Sequence, residues 1–159
     1  MLTIPKPHPQ VSASPDRIWD LVLAGAFEPG EGAEPKYPFY QEIKSVCERA
    51  GKRLFLPHED IDWQTLKPAE LVRRVRGIIR STDLVVGYSG IPSAAAGIML
   101  EMARHDSVPA ILVYDVGKAH HREMRALPEI IAEIEFSTET EALTRLETAL
   151  NTFYQGRAQ

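Results

Sequence analysis

The sequence predicts a doubly wound α/β fold, one domain in which a parallel sheet of about five strands carries helices on both faces. Three observations predict it. Short apolar runs recur at residues 18–24, 53–57, 83–90 and 108–115, each the length of a buried strand. Segments with apolar residues at helical spacing separate them. Strands alternating with helices need crossover connections, which make neighbouring strands parallel. At 159 residues the chain has room for one core, and its 44% hydrophobic and 25% charged content is that of an ordinary globular protein.

The elements follow in order. Residues 1–16 contain four prolines and little periodicity, and read as a loose arm, with the domain spanning 17–159. The first strand, 18–24, is apolar and stops at Gly25. EPGEGAEPKYP is a loop rich in glycine, proline and acids, and YQEIKSVCERAG is a helix with Ile43, Val46 and Cys47 on one side and Gly51 as its stop. RLFLP is the second strand, closed by Pro57, and HEDIDWQTLKP a polar connection. Pro68 stands where a helix starts, and AELVRRVRGIIRS places Leu71, Val72, Val75, Ile78 and Ile79 on one side. DLVVGYSG is the third strand, followed by a helix around Glu101, and VPAILVYD is the fourth. HHREMRALPEIIAEI reads as short helical pieces, IEFS as a fifth strand, and TETEALTRLETALNTFY as a closing helix whose Thr138 and Glu141 form a capping-box pattern.

Composition narrows the function. No apolar run approaches the roughly 20 residues that span a membrane, and MLTIPKPHPQVSASP lacks the apolar segment of a secretory signal. Cys47, the single cysteine, permits no internal disulfide and reads as a small core residue, so the expected location is the cytoplasm. The net charge of -4, from 18 basic and 22 acidic residues, speaks against nucleic acid and for a small-molecule partner. Neither GxGxxG nor GxxxxGK[ST] is present, Ser89 and Ser93 lack a nucleophile-elbow pattern, and His58, His105, His120 and His121 lack zinc-site spacing. No cofactor and no metal are expected. Arg73, Arg76 and Arg80 share one helical face, which reads as a solvated basic surface, with phosphate or a partner subunit as the alternatives.

In open parallel sheets ligands collect outside the carboxyl ends of the strands. Those ends offer Ala24, Gly25 and Phe27 after the first strand, His58 and Glu59 after the second, Ser89, Gly90 and Ser93 after the third, and Tyr114 and Asp115 after the fourth. Phe27, Tyr37 and Tyr40 are able to stack on a ring, though aromatic residues after a strand are commonly core. PSAAAGIMLEMARH then sets one carboxylate, Glu101, in an apolar helix, with Gly97 and Ala94 at i-4 and i-7 on its face. Gly97 costs the helix about 1 kcal/mol relative to alanine, which is understandable if a ligand approaches the backbone there. The alternative reading puts Glu101 at the helix edge, paired with Arg104 or His105.

LAGAF, LFLPHED, IIRSTDLVVGYSGIPS, the Gly97 to Glu101 segment with Met102 and Ala103, and VPAILVYD together resemble the nucleoside 2-deoxyribosyltransferase-like family, which includes deoxynucleoside-monophosphate N-glycosidases, over residues 21–128. The resemblance implies a flavodoxin- or Rossmann-like fold and cleavage or exchange at the N-glycosidic bond of a nucleoside or its 5'-monophosphate. It makes Glu101 the nucleophile and implies substrate contacts from Ala24, Gly25, Phe27, Ser89, Gly90, Ser93 and Gly97, with Asp83 opening the third strand. It also implies a homo-oligomer, at least a dimer, with sites completed by a neighbouring chain. Two features depart from the family pattern: its glycine and glutamate are commonly spaced more tightly than Gly97 and Glu101, and its usual aspartate eight residues ahead of the strand's Asp falls here on Val75. The second departure raises an alternative from another class, a catalytically silent nucleotide-binding or sensor module. A third reading is an NAD-cleaving domain related in topology to the Toll/interleukin-receptor fold.

Overall fold

The computed structural model describes residues 18–27, 36–62, 64–118, 122–127 and 129–158. The arm at 1–16, most of the loop at 28–38, and His120 and His121 lie outside the described residues. Five strands, β1 (Leu21–Ala24), β2 (Leu54–Phe55), β3 (Leu84–Tyr88), β4 (Ala110–Asp115) and β5 (Ile130–Phe136), form one sheet in the order β2-β1-β3-β4-β5. Every pairing is parallel. The helices are α1 (Tyr37–Arg49), α2 (Pro57–Asp60), α3 (Pro68–Ser81), α4 (Ala94–His105), α5 (Arg122–Arg125) and α6 (Glu139–Arg157). α1 packs beside α6 and α3 beside α4, giving the two helical layers of a doubly wound, Rossmann-like α/β domain.

The strands form because their residues satisfy both layers at once. LVLA and LVVGY are buried at every position, the pattern of a parallel strand covered on both faces. Helix boundaries follow local chemistry. Pro68 opens α3, and Gly51 takes the left-handed conformation, φ +71°, that ends the α1 segment. Thr138 Oγ1 accepts from the Glu141 amide at 3.2 Å, and the Glu141 carboxylate accepts from Ser137 N at 3.0 Å, a capping box displaced by one residue.

Two expectations change. The helical reading of 130–134 gives way to strand β5. It follows a register shift against β4, with Ile130 opposite Ala110 but Ala132 opposite Ile111, so an extra residue interrupts the alternation that would have announced an edge strand. In the polar connection after β2, residues 57–60 form the short helix α2, its proline at the first turn and the Asp60 carboxylate accepting from the Leu56 amide at 2.7 Å.

Candidate functional site

The chain leaves β1 toward β2 on one side, while β3 lies on the other, so the topological switch falls between β1 and β3. Gly25, Ser89, Gly90 and Ser93 meet at that place. Ser93 is the N-cap of α4: its Oγ accepts from Ala96 N at 3.2 Å and lies 3.5 Å from the Gly25 carbonyl. The Ala94 and Ala95 amides begin the helix without intrahelical acceptors. Ser89 donates its amide to Val113 O at 3.0 Å, and its buried Oγ has no partner. Glycine is required for close approach at two points. A Cβ on Gly25 would meet Tyr40 OH at 2.8 Å, and one on Gly90 would overlap both Asp115 Oδ2 and the Tyr88 phenol. Ala24 is fully buried within the sheet and offers this crevice only backbone.

Aromatic side chains fill the adjoining end of β1. Ala26 donates its amide to Tyr40 Oη at 3.1 Å, and the same hydroxyl donates to the Ala26 carbonyl, also at 3.1 Å. Tyr37 OH donates to the Phe27 carbonyl. Phe27 and Tyr40 are buried, and the ring they share with Tyr37 is a protein ring, His58. The imidazole lies 4.3 Å from the Tyr37 ring with 6° between planes, and 5.4 Å from Phe27 with 20°. Its Nδ1 is buried without a partner, and its Nε2 lies 3.7 Å from Glu59 Oε1.

Burial pushes His58 below the ordinary histidine pKa, against the pull of Glu59 and Asp60. An unfolded histidine titrates near the ordinary value of 6.5. As pH falls through that value the unfolded chain takes the proton first, so this residue lowers stability under acid and contributes no pH dependence above it. Urea unfolding at pH 7.5 and 5.5 is expected to show a smaller acid loss for His58→Phe than for wild type; equal losses would contradict this. The sequence marks His58 only by its place directly after a strand, because its ring partners, Phe27 and Tyr37, are 31 and 21 positions away in the chain.

Glu101 lines an open groove of about 470 Å³ with Ala94, Gly97, Ile98, Met102 and His105 of α4 and Arg76 of α3. The strip of small residues expected beside the carboxylate is therefore present. A Cβ on Gly97 would meet nothing nearer than Met124 Cε at 3.6 Å, so the open space there belongs to the groove. Glu101 has 56% of its side chain exposed and accepts from Arg104 Nε at 2.7 Å and Nη2 at 2.5 Å. That bond, with the Arg104 and His105 charges, holds the carboxylate below its usual pKa. The residues that α4 turns to the sheet are Ala96, Met99, Leu100 and Ala103. Met99 and Leu100 thus occupy the inward positions that a tighter spacing from Gly97 would reach.

Other candidates lie elsewhere. Asp83 precedes β3, at the end of the sheet opposite the crevice, and its Oδ1 lies 3.1 Å from Arg157 Nη1, so the structure places it at the strand start and not beside Ser89, Gly90 and Ser93. Val75 lies on the buried face of α3, so a carboxylate there would enter the core. Arg80 pairs with Asp106 at 3.2 Å, and Arg76 Nε stands 3.9 Å from the same carboxylate. Cys47 is buried, which pushes its thiol up to about 12. Among the described residues no group of three or more His, Cys, Asp and Glu is placed to hold a metal ion, and no helix is long and apolar enough to cross a membrane.

No family model matches the chain, and no curated protein sequence matches it. Solved structures do. The CMP N-glycosidase BcmB of Clostridium botulinum aligns with a TM-score of 0.61 at 17% identity, covering 82% of this chain and 98% of that one. A conserved protein of Enterococcus faecalis aligns with a TM-score of 0.55 at 14% identity, with the same coverage. At these identities the likeness is one of fold. The resemblance seen in the sequence holds at that level: the chain shares its architecture, over most of its length, with a nucleotide N-glycosidase.

Proposed function

We propose that the protein binds a nucleoside or nucleoside 5'-monophosphate between the β1/β3 crevice and the α4 groove and cleaves or exchanges its N-glycosidic bond, with Glu101 as the carboxylate that meets the sugar. The observation carrying this reading is the continuity of the groove with the start of α4: Ala94, Gly97 and Glu101 line one wall. A helical side chain leans toward the N-terminus, so the carboxylate reaches back over Gly97. Four residues from Ser93 to Gly97 rise about 6 Å, comparable with the separation between the 5' substituent and the anomeric carbon of a nucleotide. The free amides of Ala94 and Ala95 suit an anionic or hydroxyl 5' group.

Bond cleavage builds oxocarbenium character on the sugar, which an ionised carboxylate stabilises or captures as a glycosyl ester. Glu101 is suited to that role because Arg104 keeps it ionised, and for the same reason it is not the proton donor. The fold shared with a CMP N-glycosidase supports the reading. A homo-oligomer belongs to it as well: Val72 and Ile98, 47% and 53% exposed, are apolar surface on the α3–α4 layer for a second copy to cover.

A second reading, a silent nucleotide-binding module, is favoured by the exposed Glu101–Arg104 pair and by valine at position 75. Chromatography of free base released from nucleosides, their monophosphates and NAD separates the readings. Release from a nucleoside or its monophosphate is the expected result. Binding of a panel member without release establishes the silent module, and release confined to NAD replaces both with an NAD-cleaving activity.

A further inference from the structure

We propose that His105 is the proton donor to the departing base; this rests on the reading above. Breaking an N-glycosidic bond through a glycosyl ester uses a carboxylate facing the anomeric carbon and, for a neutral base, a proton delivered to the departing base. The resemblance-based position for an acid is the buried Val75, which cannot supply one. Among the described residues that line the groove, one carries an imidazole. His105 lines the groove one turn beyond Glu101, at i+4, on the same wall. The order along that wall is Ala94, Gly97, Glu101, His105, which matches 5' group, sugar and base in a nucleotide lying along the helix.

The other charged groups facing this place do not serve. Arg76 from α3 lines the groove and Arg104 holds Glu101, but a guanidinium keeps its protons. Asp106, next along the chain, is drawn to Arg76 and Arg80. Among the described residues lining the groove, apart from the ionised Glu101, the imidazole is the group whose ring nitrogens can carry a proton and pass it on.

The step balances. A Glu101 oxygen bonds the anomeric carbon as the carbon–nitrogen bond breaks; the bonding pair passes to the base nitrogen, and protonated His105 gives the base its proton. Water then hydrolyses the glycosyl ester, restoring the Glu101 carboxylate and returning a proton to His105.

The test compares wild type, His105→Gln and Glu101→Ala on a neutral-base monophosphate cleaved by wild type and on two substrates whose bases are already cationic, nicotinamide mononucleotide and 7-methylguanosine 5'-monophosphate. Cationic bases leave without a proton. His105→Gln is expected to lower kcat on the neutral base about 100-fold or more and to leave the cationic substrates unchanged, while Glu101→Ala loses all of them. The variant should also lose the alkaline fall of kcat/KM with pH, a readout that does not depend on cleavage of the cationic substrates. Equal losses on both substrate kinds, or an unchanged rate and pH profile on the neutral base, would overturn the assignment of His105 alone. A wild-type protein that releases no base from any panel member would overturn the proposed function and this step together.

Discussion

Replacing Glu101 by alanine should reduce base release by about four orders of magnitude while leaving the fold and nucleotide binding intact. The size of the effect follows from the role: a group bonded to the reacting carbon acts in the transition state, so its loss appears in kcat. The selectivity follows from its surroundings. The side chain is more than half exposed, and its partner Arg104 is likewise on the surface, so no core contact leaves with it. The urea midpoint of the variant should match wild type, and titration with a non-cleaved analogue should give a similar Kd. Unchanged turnover would remove Glu101 from the chemistry; a lowered urea midpoint would assign it a structural part that its exposure does not suggest.

The largest loss of stability is expected from Gly90→Ala, about 3 kcal/mol from overpacking together with a broken buried hydrogen bond. Gly90 is buried immediately after β3, and an added methyl would fall on the Tyr88 phenol and the Asp115 carboxylate. Those two groups hold each other: Tyr88 OH donates to Asp115 Oδ2 at 2.8 Å. The Tyr88 ring is 1% exposed and packs edge-on against Phe39 and Tyr40. Burial and the carboxylate beside it push the phenol well above its ordinary pKa, so at neutral pH it is protonated and donates. The methyl therefore has to displace a wall of the crevice. Urea unfolding of Gly90→Ala, Tyr88→Phe and the double variant measures this. Tyr88→Phe removes one of the clashing atoms, so the two losses should be less than additive; a wild-type midpoint for Gly90→Ala would show that the wall yields.

The elements legible in the sequence are those whose chemistry is local. β1, β3 and β4 announce themselves as LVLA, LVVGY and AILVYD because a strand covered on both faces needs apolar residues throughout. IEFS marked the end of β5, but its first four residues were hidden because the strand lies at the edge, is only partly buried there and carries the register shift. The strip Ala94, Gly97 and Glu101 was readable from helical spacing. Its exposure was not, because α4 carries small or apolar residues on its outer side as well, with Ala94, Ala95 and Ile98 exposed, so composition does not distinguish the face on the sheet from the face on water. The partner of Glu101 was one of two neighbours named by i+3 and i+4 spacing, and Arg104 takes it. The cluster around His58 depended on contacts between three segments distant in sequence and left no periodic trace.

Under the proposed function, the unpartnered Ser89 hydroxyl links folding to recognition. A buried hydroxyl without a partner costs the folded protein about 1–3 kcal/mol, and this one is 1% exposed at the carboxyl end of β3. A ligand that supplies the missing donor or acceptor gains that bond against a desolvation cost already met during folding. In the proposed function, part of the affinity of the crevice is thus set when the chain folds, at the expense of thermal stability.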